Sequence, residues 1–239
     1  MKFVVKRGGK KLELNNKEET LVAVKKNGGD LIYASKELRD DKDVVMEAVK
    51  ENGYALQFAS ERLKADKYVV MVAIKNRRYA LKYASERLKN DKDFILEAVS
   101  ERGSALKFAS EEIQNDKDVV LEAIKNNCYA LQFASERLLN DKDVILQALK
   151  EDGLALEFVS DEMKNDKEVV LEAVKQYGYA LYYASESLKN DKDFMLEAVK
   201  ENGSALEFAS DELKTEIIKN IKTKTDKKIE KEKGTSLRL

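Results

Sequence analysis

The chain has no proline, no tryptophan and no histidine, a single cysteine, and only 10 glycines in 239 residues. Each shortage excludes something. Without proline, no helix is broken by a ring that blocks its hydrogen bonding. Without histidine there is no imidazole for acid–base work near neutral pH, no Ser-His or Cys-His nucleophile pair, and no imidazole metal ligand. Cys128 stands alone, so there is no disulfide framework, and a reducing compartment is the simplest fit. No apolar run reaches the roughly 20 residues of a membrane span. Met1 to Val5 holds only a short apolar cluster, well below a signal-peptide core. The expectation is a soluble, cytoplasmic, non-enzymatic protein that needs no cofactor and no metal.

What is present points to helices. Charged residues make up 37% of the chain, with Ala, Glu, Lys and Leu prominent, and the 43% of hydrophobic residues is too many for a disordered chain. The 44 basic and 45 acidic residues leave a net charge of −1, so nothing global draws the protein to nucleic acid or to an anionic membrane.

The decisive signal is self-similarity. Asp-Lys recurs at Asp41, Asp66, Asp91, Asp116, Asp141, Asp166 and Asp191, always 25 residues apart, and Asn16-Lys17 extends the series back one step. Eight units follow, at 16–40, 41–65, 66–90, 91–115, 116–140, 141–165, 166–190 and 191–215. In the unit 41–65, Asp41 is placed to cap a first helix from about Lys42 to Glu51. Gly53 is expected to end that helix in the left-handed conformation. A second helix is predicted from about Tyr54 to Leu63. The apolar positions of each helix cover about 200°, twice the stripe of an ordinary surface helix, so each must touch several neighbours. Nearest-neighbour stacking meets that demand, and the expected fold is all-α, an α-solenoid of eight helix–turn–helix repeats.

The ends depart from the pattern. Phe3-Val4-Val5 and Leu12-Glu13-Leu14 flank Arg7-Gly8-Gly9-Lys10, which reads as a short β-hairpin or an irregular cap over 1–15. Glu19, Thr20 and Asp30 replace apolar residues in the first repeat, as a polar terminal cap would. Over 216–239, Ile217, Ile218 and Ile221 suggest a helix closing the core, followed by a Lys-rich tail.

The unit Asp41–Lys64 resembles a repeat family known as domain of unknown function 4116. The resemblance is carried by the Asp-Lys-Asp-Val start, the Asn-Gly break and the Ala-Leu-x-Phe-Ala-Ser run, and it extends over 16–215. Arg78 and Cys128 at the Gly position and Val159 for Ala depart from it. The resemblance implies the fold and brings no activity with it. The family's occurrence in bacterial and protist proteins makes a pathogen- or phage-encoded effector or inhibitor one form that such a binder could take.

Candidate chemistry dissolves into repetition. Asp41-x-Asp43-x-x-x-Glu47 lacks the third ligand and the turn glycine of a calcium loop, and capping explains it. Ser60-Lys64 has the spacing of a Ser-Lys dyad, but Ser85-Lys89, Ser160-Lys164 and Ser185-Lys189 copy it; a serine bonding back to a helix carbonyl is the simpler account. Lysines that follow the capping aspartates read as ordinary solvated charge. Lys219, Lys222, Lys224, Lys227, Lys228, Lys231 and Lys233 read first as a solubilising tail, with weak affinity for nucleic acid or an acidic partner as the alternative. Otherwise the expected partner is a protein and not a membrane.

In a monotonous array, the breaks point to function. An acidic ladder on the first helices, Asp43/Glu47 and Asp93/Glu97 among its rungs, becomes Tyr68/Val72 in the third repeat, and the next turn becomes Asn76-Arg77-Arg78. Tyr, Arg and exposed apolar groups are what interface hot spots favour. The expected partner site is therefore Tyr68, Val72, Arg77, Arg78 and Tyr79, with Leu139 and Tyr182 as a second surface. Tyr54, Tyr79, Tyr129 and Tyr179 recur at one position, which suits packing. The alternatives are a nucleic-acid-binding helical-repeat protein and a purely structural spacer.

Overall fold

A computed structural model describes the backbone of residues 6–7, 10–11 and 13–236 and the side chains of residues 13–223. Much of the expected hairpin, including Phe3, Val4, Val5, Gly8, Gly9 and Leu12, lies outside the described residues, as do the tail side chains from Lys224 onward. Lys6–Arg7 (β1) and Lys10–Lys11 (β2) pair antiparallel.

The rest is an all-α repeat fold. Eight ten-residue helices open the repeats: α1 Lys17–Lys26, α2 Lys42–Glu51, α3 Lys67–Asn76, α4 Lys92–Glu101, α5 Lys117–Asn126, α6 Lys142–Glu151, α7 Lys167–Gln176 and α8 Lys192–Glu201. A last helix, α9, runs over Asp211–Ser236. Among the described residues no helix is long and apolar enough to cross a membrane.

The chain divides into two compact units, Met1–Ser135 and Glu136–Leu239. In the first, α1 to α5 pack in order, each on the next; in the second, α6, α7 and α8 do the same and α9 follows α8. The core is one layer repeated. α2 packs against Gly53–Phe58 of the second limb, and Val44, Val45, Ala48 and Val49 of α2 are fully buried, as are Ala55, Leu56 and Leu63. A buried leucine of this kind contributes roughly 1.5–3 kcal/mol, and its equivalents Leu31, Leu81, Leu106 and Leu131 are also at zero exposure.

The capping aspartates act as expected. Asp41 accepts from the N–H groups of Asp43 and Val44, and Asp66 does the same for Tyr68 and Val69. The second limb differs from the helix predicted over Tyr54–Leu63. It is a 3-10 helix, Gly53–Phe58, then two extended residues, Ala59 and Ser60, then a single α-turn, Glu61–Lys64. The cause is non-local: the Ser60 N–H donates to the Arg39 carbonyl of the preceding repeat at 2.9 Å. Ser85 to Lys64, Ser110 to Lys89 and Ser185 to Lys164 repeat that bond at the same length.

The serine therefore does not bond back to a helix carbonyl. Its hydroxyl accepts from the Leu63 N–H at 3.3 Å, capping the last turn, and donates to the Asp40 side chain one repeat back. Nor does it form a dyad, since Lys64, Lys89 and Lys189 bond Glu61, Glu86 and Glu186. At the N-terminus Leu14 stands in for a preceding repeat, accepting from the Ser35 N–H at 2.9 Å.

The first repeat is less polar in effect than its sequence suggests. Thr20 is fully buried, its hydroxyl donating to the Asn16 carbonyl at 2.6 Å, and buried Asp30 accepts from the Asn27 amide at 2.7 Å. Internal hydrogen bonds make both tolerable in a core. At the far end Leu213 and Ile217, one helical turn apart, are buried, whereas Ile218 and Ile221 face solvent. Only one stripe of α9 can meet the stack.

The lysines after the capping aspartates are more than solvated charge. Most reach the cap of the following repeat, among them Lys17 to Asp41 at 2.8 Å, Lys42 to Asp66 at 2.6 Å, Lys67 to Asp91 at 2.7 Å, and Lys167 to Asp191 at 2.6 Å; Lys192, with no aspartate cap ahead, pairs with Glu216. The lysine hydrogen bond, with the Phe94 and Phe194 N–H groups, holds the Asp91 and Asp191 carboxyls below the usual aspartate range. At Asp41 and Asp66 partial burial pushes upward, but the lysine and backbone bonds outweigh it and the result is again downward.

Candidate functional site

The repeat joint explains where the surface opens. After each first helix the chain turns through an extended residue such as Asn52, and the next residue, Gly53, is buried. None of the described glycines has a positive φ, so the left-handed helix ending expected at Gly53 is absent. Glycine is required for space. A Cβ on Gly53 would strike the Ala73 carbonyl oxygen of the next repeat, and one on Gly103 would strike that of Ala123. At these two joints an asparagine seals the contact. Asn76 accepts from the Gly53 N–H at 2.8 Å and donates to the Lys50 carbonyl at 2.7 Å; Asn126 does the same for Gly103 and Ser100.

Arg78 occupies the glycine position of the third repeat, and the joint cannot close in that way. The 3-10 helix starts late, at Ala80, and α3 and α4 meet over less of their length than α2 and α3 or α4 and α5. Glu101 stands where Asn76 and Asn126 seal their joints, as Glu51, Glu151 and Glu201 do elsewhere, and pairs with Lys75 at 2.9 Å, while Arg102 donates to the Lys75 carbonyl at 3.0 Å. Two depressions lie here, although a third of about 490 Å3 lies between α4 and α5, where the Gly103 joint is closed.

The first, about 470 Å3, is lined by Lys67, Tyr68, Met71, Val72, Lys75 and Glu97, along α3 and α4. Tyr68 is 63% exposed, with the Lys42 ammonium 5.8 Å from its ring centre. The second, about 450 Å3, is lined by Asn52, Tyr54, Asn76, Arg77, Arg78 and Arg102 at the C-terminal end of α3. Nine residues of helix separate Tyr68 from Arg77, roughly 14 Å at 1.5 Å per residue. The sequence-predicted cluster is thus two neighbouring features along one helix.

Tyr79 lines neither. Its ring meets Phe108 edge-on at 5.7 Å, as Tyr54 meets Tyr83 and Tyr179 meets Phe208. The Arg78 guanidinium lies 5.0 Å from the Tyr79 ring centre and the Lys107 ammonium 5.7 Å. Leu139 is half-buried, and Tyr182 is 69% exposed beside Tyr183. Exposed Tyr177 lies 5.5 Å from Tyr179, whose hydroxyl donates to Glu207. Sequence reasoning missed Arg102, Met71 and Tyr177. Arg102 and Tyr177 were findable, because both stand where Asn27, Asn52, Asn127 and Asn202 recur. Met71 has no such signal.

Chemically, the place offers an aromatic and aliphatic groove next to three guanidinium groups. Among the described residues no group of His, Cys, Asp and Glu is arranged to hold a metal.

The family model described as Domain of unknown function (DUF4116) matches residues 16–64, 66–114, 116–164, 141–189 and 166–214, each match spanning two of the 25-residue repeats. No curated protein and no solved structure matches the chain. The chain belongs to this repeat family.

Proposed function

We propose that this member of the repeat family is a non-catalytic protein-binding scaffold, in the cytoplasm, whose recognition surface is the third repeat and its junction with the fourth. The observation that carries this reading is the coincidence of exposed Tyr68 and half-buried Val72 in one groove, beside Arg77 and Arg78, on a surface otherwise dominated by paired charges. Binding energy would come from the tyrosine and arginine anchors, with the surrounding Lys-Asp pairs setting register. Tyr79 supports the site by packing against Phe108 and carrying Arg78.

The test is capture of a partner from the native cell on immobilised chain, comparing wild type with a Tyr68→Ala/Arg78→Ala double variant. Loss of a specific band with unchanged circular dichroism supports the reading. Equal capture by both proteins defeats it. Exposed Tyr177, Tyr179 and Tyr182 favour a second contact surface on the seventh repeat, which the same assay tests through Tyr182→Ala.

A further inference from the structure

We infer that the joint between the third and fourth repeats binds a phosphate monoester carried by a peptide segment of the partner, with Arg77, Arg78 and Arg102 as its ligands. This rests on the protein-binding reading above and names the chemistry the partner must present.

Three guanidinium groups line one depression, and no carboxylate lines it with them. None of the three has an ion pair with the described residues, in contrast to the lysines of the stack. Glu101, the nearest acid in sequence to Arg102, is taken by Lys75 at 2.9 Å. Arg102 spends one N–H on the Lys75 carbonyl; no side-chain hydrogen bond occupies Arg77 or Arg78. The side chain that accepts from the Tyr54 N–H in the second repeat is Asn52; Arg77 at the corresponding place has no acceptor to offer, and the Arg78 and Tyr79 N–H groups are left without a described partner. The depression therefore has donors in excess and no anion of its own.

A phosphate monoester matches that imbalance. It carries about −1.5 to −2 charge at neutral pH and three strongly accepting oxygens, so donors arriving from three separate residues can each find one. A lone carboxylate has two oxygens and one charge. Nucleic acid is disfavoured because its charge is extended. The basic residues at this position are confined to two adjacent repeats, Asn52 precedes them and Asn127 follows, and Asp93 and Glu97 lie on the fourth repeat's own first helix.

The experiment is a titration of the full chain, read through arginine Nε–H and backbone amide NMR signals. The probes are inorganic phosphate, a Gly-phosphoserine-Gly peptide, the same peptide without phosphate, an all-glutamate peptide and a short thymidine oligonucleotide. Saturable shifts at Arg77, Arg78, Arg102 and the Tyr79 amide are expected with the first two and not with the unphosphorylated peptide. Arg78→Gln should weaken the phosphopeptide about tenfold or more, and Arg78→Lys should restore only part, since an ammonium cannot bond bidentately. Both positions are exposed, so the fold is expected to tolerate the changes. Absence of saturation, equal affinity in an Arg77→Gln/Arg78→Gln variant, or tighter binding of the oligonucleotide or the glutamate peptide overturns the inference. Phosphatase treatment of the lysate separates the two claims. Capture that survives it, together with phosphopeptide that does not bind, removes the phosphate and leaves the scaffold. Phosphopeptide that binds at the arginines while Tyr68→Ala/Arg78→Ala leaves capture unchanged does the reverse.

Discussion

The Asn52-Gly53 turn and the Arg77-Arg78 turn occupy the same place in successive repeats, and they do opposite things. At the first, a missing side chain lets the next repeat's backbone approach, and Asn76 seals the contact with two hydrogen bonds. At the second, a long cationic side chain takes the glycine's position, the asparagine seal is absent, and a depression lined by Arg77, Arg78 and Arg102 lies at the C-terminal end of α3. The same brick thus yields a closed joint or an accessible one according to a single position. A repeat protein can in this way acquire a binding surface without altering its core, because Leu81 and Ala80 behind the open joint remain as buried as Leu56 and Ala55 behind the closed one.

Acid should have the largest effect, and it should not distinguish the two joints, because both repeats start with the same aspartate cap. The caps Asp41, Asp66, Asp91 and Asp191 are held below their ordinary range in the folded protein. A depressed folded value means the stabilisation is complete above the unfolded aspartate value, about pH 4, and is lost as pH falls through the lower folded values. Thermal melts should therefore be flat from neutral pH down to about 4 and fall steeply below it. A decline centred between pH 5 and 7 would mean that other groups control stability.

The glycine itself comes next. Gly103→Ala forces a Cβ onto the Ala123 carbonyl oxygen and should cost about 1–3 kcal/mol, seen as a lower denaturation midpoint. Gly203 ends the series and a Cβ there meets nothing within 4 Å, so Gly203→Ala should be neutral or stabilising by up to about 1 kcal/mol. If both changes cost the same, the close-approach account of the joint is wrong.

Serine offers a finer comparison. Ser60 caps its turn and also donates to Asp40, whereas Ser85 has Ala65 at the matching place and only caps. Ser60→Ala should cost about 1–2 kcal/mol and Ser85→Ala about half as much, within the usual range for lost caps and hydrogen bonds. Double-mutant cycles with Asp40→Ala should show coupling for Ser60 and none for Ser85.

The smallest expected change is in stability on closing the open joint. Arg78→Gly should alter the melting point little, yet slow amide exchange across α3 and α4 and reduce the exposure of Tyr68. Unchanged exchange would show that the opening has another origin.

Much of this was legible in the residues. The Asp-Lys recurrence, with Asn16-Lys17 before it, located every first helix, because an N-cap acts on N–H groups two and three residues away. Tyr68, Val72, Arg77 and Arg78 were visible as departures from an otherwise regular pattern. The division of those residues between two depressions was not visible, nor was the entry of Arg102, which comes from the following repeat. The glycine was noticed for the wrong reason: sequence alone suggests an unusual φ, whereas the constraint is a carbonyl oxygen 20 residues further on.

From the chain alone came the period, the start of each helix, the all-α class and the surface positions at which the repeats disagree, since all of these follow from local hydrogen bonding and apolar spacing. Tertiary structure decided that the second limb is bent at Ala59-Ser60, that lysines bridge to the cap ahead, and that Arg77, Arg78 and Arg102 share one depression. Those features depend on partners some 21 to 27 residues away along the chain, which become neighbours only once one repeat has packed against the next.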